Sequence, residues 1–244
     1  MVRVDERSDV GTGVLQITLD RPERRNAVDH ATLVELLAAQ ADAASARVVV
    51  LTGAPPAFCA GADLNGVDQA VFARDLERVL HGFAALPAPV IAAIDGPALG
   101  AGAQLVAVCD LRVATPESVV GVPAARLGLV IDSWTVDRIA QEFGASVARA
   151  MLLAAETYTG QQLHASGGVH RLGDLDHALA WAAQIATLAP LSIAAHKVWL
   201  ESSATSRQSV PAFEAARSRA WSSNDAIEGR AAFLAKRPAV FRGD

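Results

Sequence analysis

The chain has 244 residues, 52% of them hydrophobic and 19% charged, with a net charge of −5 and an isoelectric point of about 5.7. That length serves one full core, or a core plus a small appendage. An acidic balance without basic blocks argues against a nucleic-acid partner. In chain order, Val14–Asp20 (VLQITLD) alternates and is β-rich, so it reads as a strand ended by Arg21-Pro22. Asp29 is placed to cap a helix over Ala31–Ala44. Arg47–Thr52 is a short buried strand, and Gly53–Leu64 a loop. Asp68–Leu86 suits a helix closed by Pro87 and Pro89. Val90–Ile94 is again a buried strand, turned by Gly96-Pro97. Ala101–Val108 is a helix, and Leu111–Ala114 and Val119–Val122 are strands.

Beyond these the pattern is mostly helical: Ile131–Glu142, Ser146–Glu156, Asp174–Ala189 with Asp174 as its cap, Ser192–Ser202, Val210–Asn224 and Asp225–Lys236. Strand and helix alternate first and helices follow, which is an α/β class with a helical C-terminal extension. Pro190 marks the boundary, giving a core over 1–190 and a helical region over 191–244. The unit "strand, turn, strand, helix" recurs without sequence identity, as in a spiral of similar units. The N-terminal MVRVDERSDV has charges and no apolar core, so it is not a signal peptide. Apolar stretches are cut by Pro, Gly or Asp short of membrane-spanning length. Cys59 and Cys109 sit inside apolar runs and read as reduced, buried thiols. The expected location is the cytoplasm.

Two loops share a design: AFCAGADL (Ala57–Leu64) and GPALGAGAQ (Gly96–Gln104). Each follows a buried strand, carries glycines and precedes a helical segment. Glycine lets backbone amides approach a ligand closely, and a helix N-terminus adds a positive dipole end. Two such amides aimed at one point hold a carbonyl oxygen and stabilise an oxyanion. Taken alone, the two loops read equally as ordinary strand-to-helix turns. The six histidines form no pair at metal-ligand spacing, so no metal is expected.

Five segments together resemble the crotonase superfamily of enoyl-CoA hydratases and isomerases: ITLDRPERRNAVD, VVVLTGAPPAFCAGADL, PVIAAIDGPALGAGAQLVAVCDLRVA, RLGLVIDSW and EGRAAFLAKRPAVFRGD. The resemblance covers nearly the whole chain. It implies a crotonase-type spiral of ββα units with a C-terminal helical trimerisation region, and trimers that pair into hexamers. It implies a coenzyme A thioester as ligand or substrate, and no other cofactor. The oxyanion-hole amides map to Ala62 and Ala101, where alanine replaces the usual glycine. Contacts to CoA map to Ala27, Ala60, Ala62, Asp63 and Leu64, with Arg24, Arg25 and Lys236 as phosphate-facing cations. Trp134 maps to the acyl-pocket wall.

Hydratases of this superfamily use two glutamates, one accepting and one donating the proton of water. Their positions map to Gln104 and Ala124. An amide has no useful proton affinity near neutral pH, and a methyl group has none; Gln104 retains only hydrogen bonding. Asp132 is the acid that stands as a substitute, and it equally suits the N-cap of the helix beginning at Ser133. Two functional readings follow. The first is a protein that binds fatty acyl-CoA without hydrating it, similar to the non-catalytic mycobacterial branch of the superfamily, with fatty-acid synthesis proteins as partners. The second is an active isomerase, hydratase or hydrolase that works through Asp132.

Overall fold

A computed structural model describes residues 1–63, 69–202 and 211–244. The strands are β1 (Val2–Glu6), β2 (Val14–Leu19), β3 (Val48–Gly53), β4 (Val90–Ile94), β5 (Pro97–Leu99), β6 (Leu111–Ala114), β7 (Val119–Gly121), β8 (Thr157–Thr159) and β9 (Arg171–Leu172). The helices are α1 (His30–Asp42), α2 (Gln69–Ala85), α3 (Ala101–Val108), α4 (Ser133–Phe143), α5 (Ala145–Leu153), α6 (Gly160–Ser166), α7 (Leu175–Ala186), α8 (Pro190–Leu200), α9 (Pro211–Trp221) and α10 (Asn224–Ala235).

The larger sheet has the order β1-β2-β3-β4-β6-β9 and is parallel except for the β1–β2 pair. Its central strands bury both faces, so their continuous apolar runs still sort by period two. Val48 and Val50 of β3 face α7 together with Ile91, Ala93 and Val113, and Ala178, Leu179 and Ala182 cover them. Val49, Leu51, Ala92 and Ile94 point the other way, into the larger core shared with α1, α2 and α3. A smaller sheet, β5-β7-β8, lies beside it.

The chain passes alternately through the two sheets. β4 enters the large sheet, β5 the small one, and α3 follows; β6 and β7 repeat the first two steps. The loop after β3 makes the same excursion through a parallel bridge between Cys59 and Ala98. This is the crotonase-type spiral of ββα units expected from the sequence, and helices follow it.

Three short strands absent from the sequence reading, β5, β8 and β9, have only three, three and two residues. β1 was missed because its side chains are charged and mostly exposed; its register comes from main-chain pairing to β2. The segment read as one helix to Glu156 ends at Leu153, and β8 and α6 follow. Pro190 is the first residue of α8, where proline's fixed φ suits a helix start. α8 is tied to the core by Lys197, whose ammonium donates to the Phe83 and Ala88 carbonyls and meets Asp110 at 2.7 Å. Among the described residues no single helix is long and apolar enough to cross a membrane.

Candidate functional site

The site is built where the first glycine loop touches the second. Cys59 N–H donates to the Pro97 carbonyl at 3.0 Å and Leu99 N–H to the Cys59 carbonyl at 2.9 Å, which lashes the loops together. Glycine is required at three places for this approach. Gly61 and Gly100 have φ of 121° and 54°, where side chains are strained. A Cβ on Gly102 would lie 2.2 Å from the Cys59 carbonyl oxygen. Ala101 needs no such freedom: it is the first residue of α3, and its φ is not positive. Alanine in place of the usual glycine therefore leaves that amide unstrained.

Two backbone donors emerge beside this junction. Ala62 bridges Val28, but the bonds run from Val28 N–H to Gly61 and from Asp63 N–H to Val28, leaving the Ala62 amide out of the ladder. Ala101 opens α3 after Gly100, which offers no side-chain cap. Neither amide donates to an acceptor among the described residues. Both belong to residues lining a cavity of about 680 Å3.

That cavity collects most of the residues singled out in the sequence. Ala60, Ala62, Ala101, Gln104, Ala124 and Asp132 line it. Phe72 and Leu76 of α2, Leu99 and Val122 make its apolar wall, and Leu127, Leu129 and Val130 are exposed at its rim. Its charged lining residues, Arg74, Glu77 and Asp132, are all exposed. Gln104 is 6% exposed and is the one buried polar side chain among the described lining residues. Its side-chain amide makes no hydrogen bond to a described residue, and its polar atoms keep contact with solvent.

Asp132 holds two positions at once. It caps α4: one carboxylate oxygen accepts Thr135 N–H at 2.9 Å and the other the Thr135 hydroxyl at 2.6 Å. It also faces the cavity. Trp134 does not line the cavity; its ring stacks on His81 with centroids 3.9 Å apart. Burial pushes both the Cys59 and Cys109 thiols up to about 12, so neither supplies a thiolate near neutral pH.

Of the described residues mapped to CoA contacts, Ala60 and Ala62 line the cavity, and Ala27 and Asp63 do not. The Arg25 carbonyl accepts Ala60 N–H at 2.9 Å, and Asp63 N–H donates to Val28 at 2.8 Å. Arg21 donates to the Ala27 carbonyl at 2.7 Å and pairs with Asp29 at 2.9 Å. The side chains of Arg24 and Arg25 are exposed and do not line the cavity; nor does Lys236, which is exposed beyond the end of α10. Leu64 lies outside the described residues.

Asn26, which sequence reasoning missed, is the fastener of this edge. It is 1% exposed and in the left-handed region. Its side chain accepts Arg21 N–H and donates to the carbonyls of Ala54 and Ala57. Asparagine tolerates that conformation better than most residues, and an Asn directly after Pro-Glu-Arg-Arg was the available signal. Among the described residues no cluster of three His, Cys, Asp or Glu could hold a metal ion.

A family model described as enoyl-CoA hydratase/isomerase matches residues 9–244. The probable enoyl-CoA hydratase echA6 of Mycobacterium tuberculosis is 44% identical over 233 residues, covering 94% of this chain and 96% of that protein. The 2,3-dehydroadipyl-CoA hydratase of Escherichia coli is 35% identical over 250 residues, covering 94% and 95%. Among solved structures, a putative enoyl-CoA hydratase/isomerase from Mycobacterium abscessus superposes with a TM-score of 0.88 at 29% identity, covering 100% of both chains. An enoyl-CoA hydratase from Bacillus anthracis gives 0.88 at 26% identity, covering 100% and 99%.

Proposed function

The chain belongs to the enoyl-CoA hydratase/isomerase family, and from that premise we propose that it binds fatty acyl-CoA thioesters in lipid metabolism without hydrating them. The observation that carries this is that Gln104 and Ala124 line the same cavity. These are the two positions where hydratases of the family are expected to carry glutamates. The amides of Ala62 and Ala101 hold the thioester oxygen, with the N-terminal dipole of α3 behind the second donor. The apolar wall from α2 takes the acyl chain. Neither an amide nor a methyl group can take a proton from water, so the bound thioester is held and not hydrated.

Titration calorimetry with fatty acyl-CoAs beside a crotonyl-CoA hydration assay tests this reading. Binding without turnover is expected; hydration at a rate ordinary for enzymes, roughly 1–10³ per second, would overturn it. A second reading is favoured by one observation, the position of Asp132 on the same cavity. There Asp132 serves as the single proton carrier or nucleophile of an acyl-CoA isomerase, hydratase or hydrolase. That reading requires product from a screen of enoyl-, dienoyl- and aryl-CoA esters, and its loss in Asp132→Asn while binding persists.

The same proposal takes 1–190 as the acyl-CoA-binding core and 191–244 as an oligomerisation region, in a cytoplasmic homotrimer or hexamer. Arg24, Arg25 and Lys236 meet the CoA phosphates, Lys236 from a neighbouring subunit. Fatty-acid synthesis proteins are the partners that would supply or receive the acyl chain. Light scattering on the purified chain reads the oligomer directly.

A further inference from the structure

Among the described residues, one fully buried side-chain oxygen has no hydrogen-bond partner: Oδ2 of Asp75, in α2. A buried carboxylate oxygen without a donor is costly and calls for an explanation. Asp75 does not line the cavity. Arg74 and Arg78 lie 3.5 and 3.7 Å from its other oxygen, but they belong to the same helix, so those contacts do not join α2 to a neighbour. Oδ2 instead meets His30, the first residue of α1, whose Nδ1 is 2.8 Å away and whose side chain is 58% exposed. The geometry is not that of a hydrogen bond, so the contact is one of charge, made by His30 in its protonated form.

This contact falls on the half of α2 that serves the cavity. Residues from Ala70 to Glu77 supply the wall, and no described residue of α2 beyond Glu77 lines it. The later half is locked to α1. Gln40 donates to the Val79 carbonyl at 2.7 Å, and a Cβ on Gly82 would overlap the Gln40 side-chain amide. Val79, Leu80 and Phe83 are at most 1% exposed there, whereas Phe72 and Leu76 in the wall half are each 7% exposed. Without His30, Oδ2 regains a hydrogen-bond partner from water only if the wall half parts from α1. The Gln40–Gly82 contact is the fixed end about which it would part.

We propose that His30 and Asp75 form a clasp that keeps the α2 wall closed, and that release of this clasp sets how fast a ligand enters and leaves the cavity. The inference rests on the acyl-CoA-binding reading above and deepens it by naming a control on that site. The clasp acts through the wall and not on the ligand, since neither residue lines the cavity. Loss of the one partner of a buried charge shifts the closed wall toward the open one by about ten-fold.

The test is hydrogen exchange of the full chain without ligand, read separately over residues 70–77 and 78–85, beside stopped-flow release of dodecanoyl-CoA. His30→Ala should speed exchange over 70–77 about ten-fold, leave 78–85 unchanged, and speed release to a similar degree. Adding Asp75→Ala removes the oxygen that demands water, so the double variant should return both rates toward the native values. A merely local loss at the start of α1 would not be rescued in that way. His30→Arg keeps a charge at the position and should stay close to native. Unchanged exchange over 70–77 in His30→Ala, equal acceleration of both halves, or no recovery in the double variant overturns the clasp. Exchange that responds while release does not overturns its control of ligand traffic. Absence of dodecanoyl-CoA binding in the native chain instead overturns the acyl-CoA reading, with the exchange pattern still judging the clasp.

Discussion

The two ends of helix α3 lie in opposite surroundings. At the C-terminal end, Arg138 donates to the Ala107 carbonyl at 2.9 Å and Arg112 to the Cys109 carbonyl at 2.8 Å. Those cations are themselves paired, Arg112 with Glu142 and Arg138 with Glu142 and Glu201, and Asp110 just beyond is held by Lys197. Cations at a helix C-terminus complement its dipole. At the N-terminal end there is no side-chain cap, the Ala101 amide has no described acceptor, and Gln104 is buried without a partner. One end is dense with charge and satisfied, and the other is nearly free of charge and unsatisfied. Paired buried polar groups hold the helix in place, and on the acyl-CoA-binding proposal the unpaired ones meet the ligand.

Breaking the satisfied end should have the largest effect. Arg112 is 1% exposed, and Arg112→Met takes the donor from the Cys109 and Gly168 carbonyls and leaves Glu142 paired with Arg138 alone. A loss of about 3–5 kcal/mol is expected in chemical denaturation. Gly102→Ala attacks the other end, since its Cβ would lie 2.2 Å from the Cys59 carbonyl oxygen. It should destabilise by about 1–3 kcal/mol and, unlike Arg112→Met, weaken acyl-CoA binding in the molecules that remain folded. Calorimetry on the folded fraction separates the two.

Asp132 divides the cap from the chemistry. Asp132→Ala removes the α4 cap and should cost about 1 kcal/mol, whereas Asp132→Asn caps almost as well and should leave the unfolding midpoint nearly unchanged. A large shift in the asparagine variant would mean that the charge itself, and not the cap, is structural.

The smallest effect is in pH. His170 accepts the Arg112 backbone N–H on Nδ1 at 3.2 Å. Burial, and then the Arg112 charge, hold its pKa below the ordinary 6.5. A base lowered in the folded state favours folding while neutral. Its contribution is complete above about pH 6.5 and is lost as pH falls toward and through the lowered value. His170→Gln should flatten the corresponding part of a plot of midpoint against pH; an unchanged slope would assign that part to other groups.

The strands that carry the spiral were legible because β2, β3, β4 and β6 are apolar runs bounded by turn residues, and α1 and α7 because Asp29 and Asp174 cap them. The short strands β5, β8 and β9 were not, because two or three residues hold no period. Arg112 was invisible as a core residue because a charged side chain is expected outside; its burial depends on acceptors from Cys109, Glu142 and Gly168. Which residues of α2 wall the cavity was not legible either. Its helix was read, but the face it turns to the cavity depends on packing against α1 and α3.

The sequence by itself determined the glycine loops and the absence of an ionisable side chain at positions 104 and 124. An amide at 104 and a methyl group at 124 cannot serve as acids in any fold. Only the tertiary structure decided that these positions, Asp132 and the amides of Ala62 and Ala101 line one cavity. Their meeting depends on parallel pairing of β3 with β4, about forty residues apart, and of β5 with β7, about twenty apart. Local pattern encodes which face of an element is apolar, but contacts between distant segments are fixed only when the sheets close around a shared core.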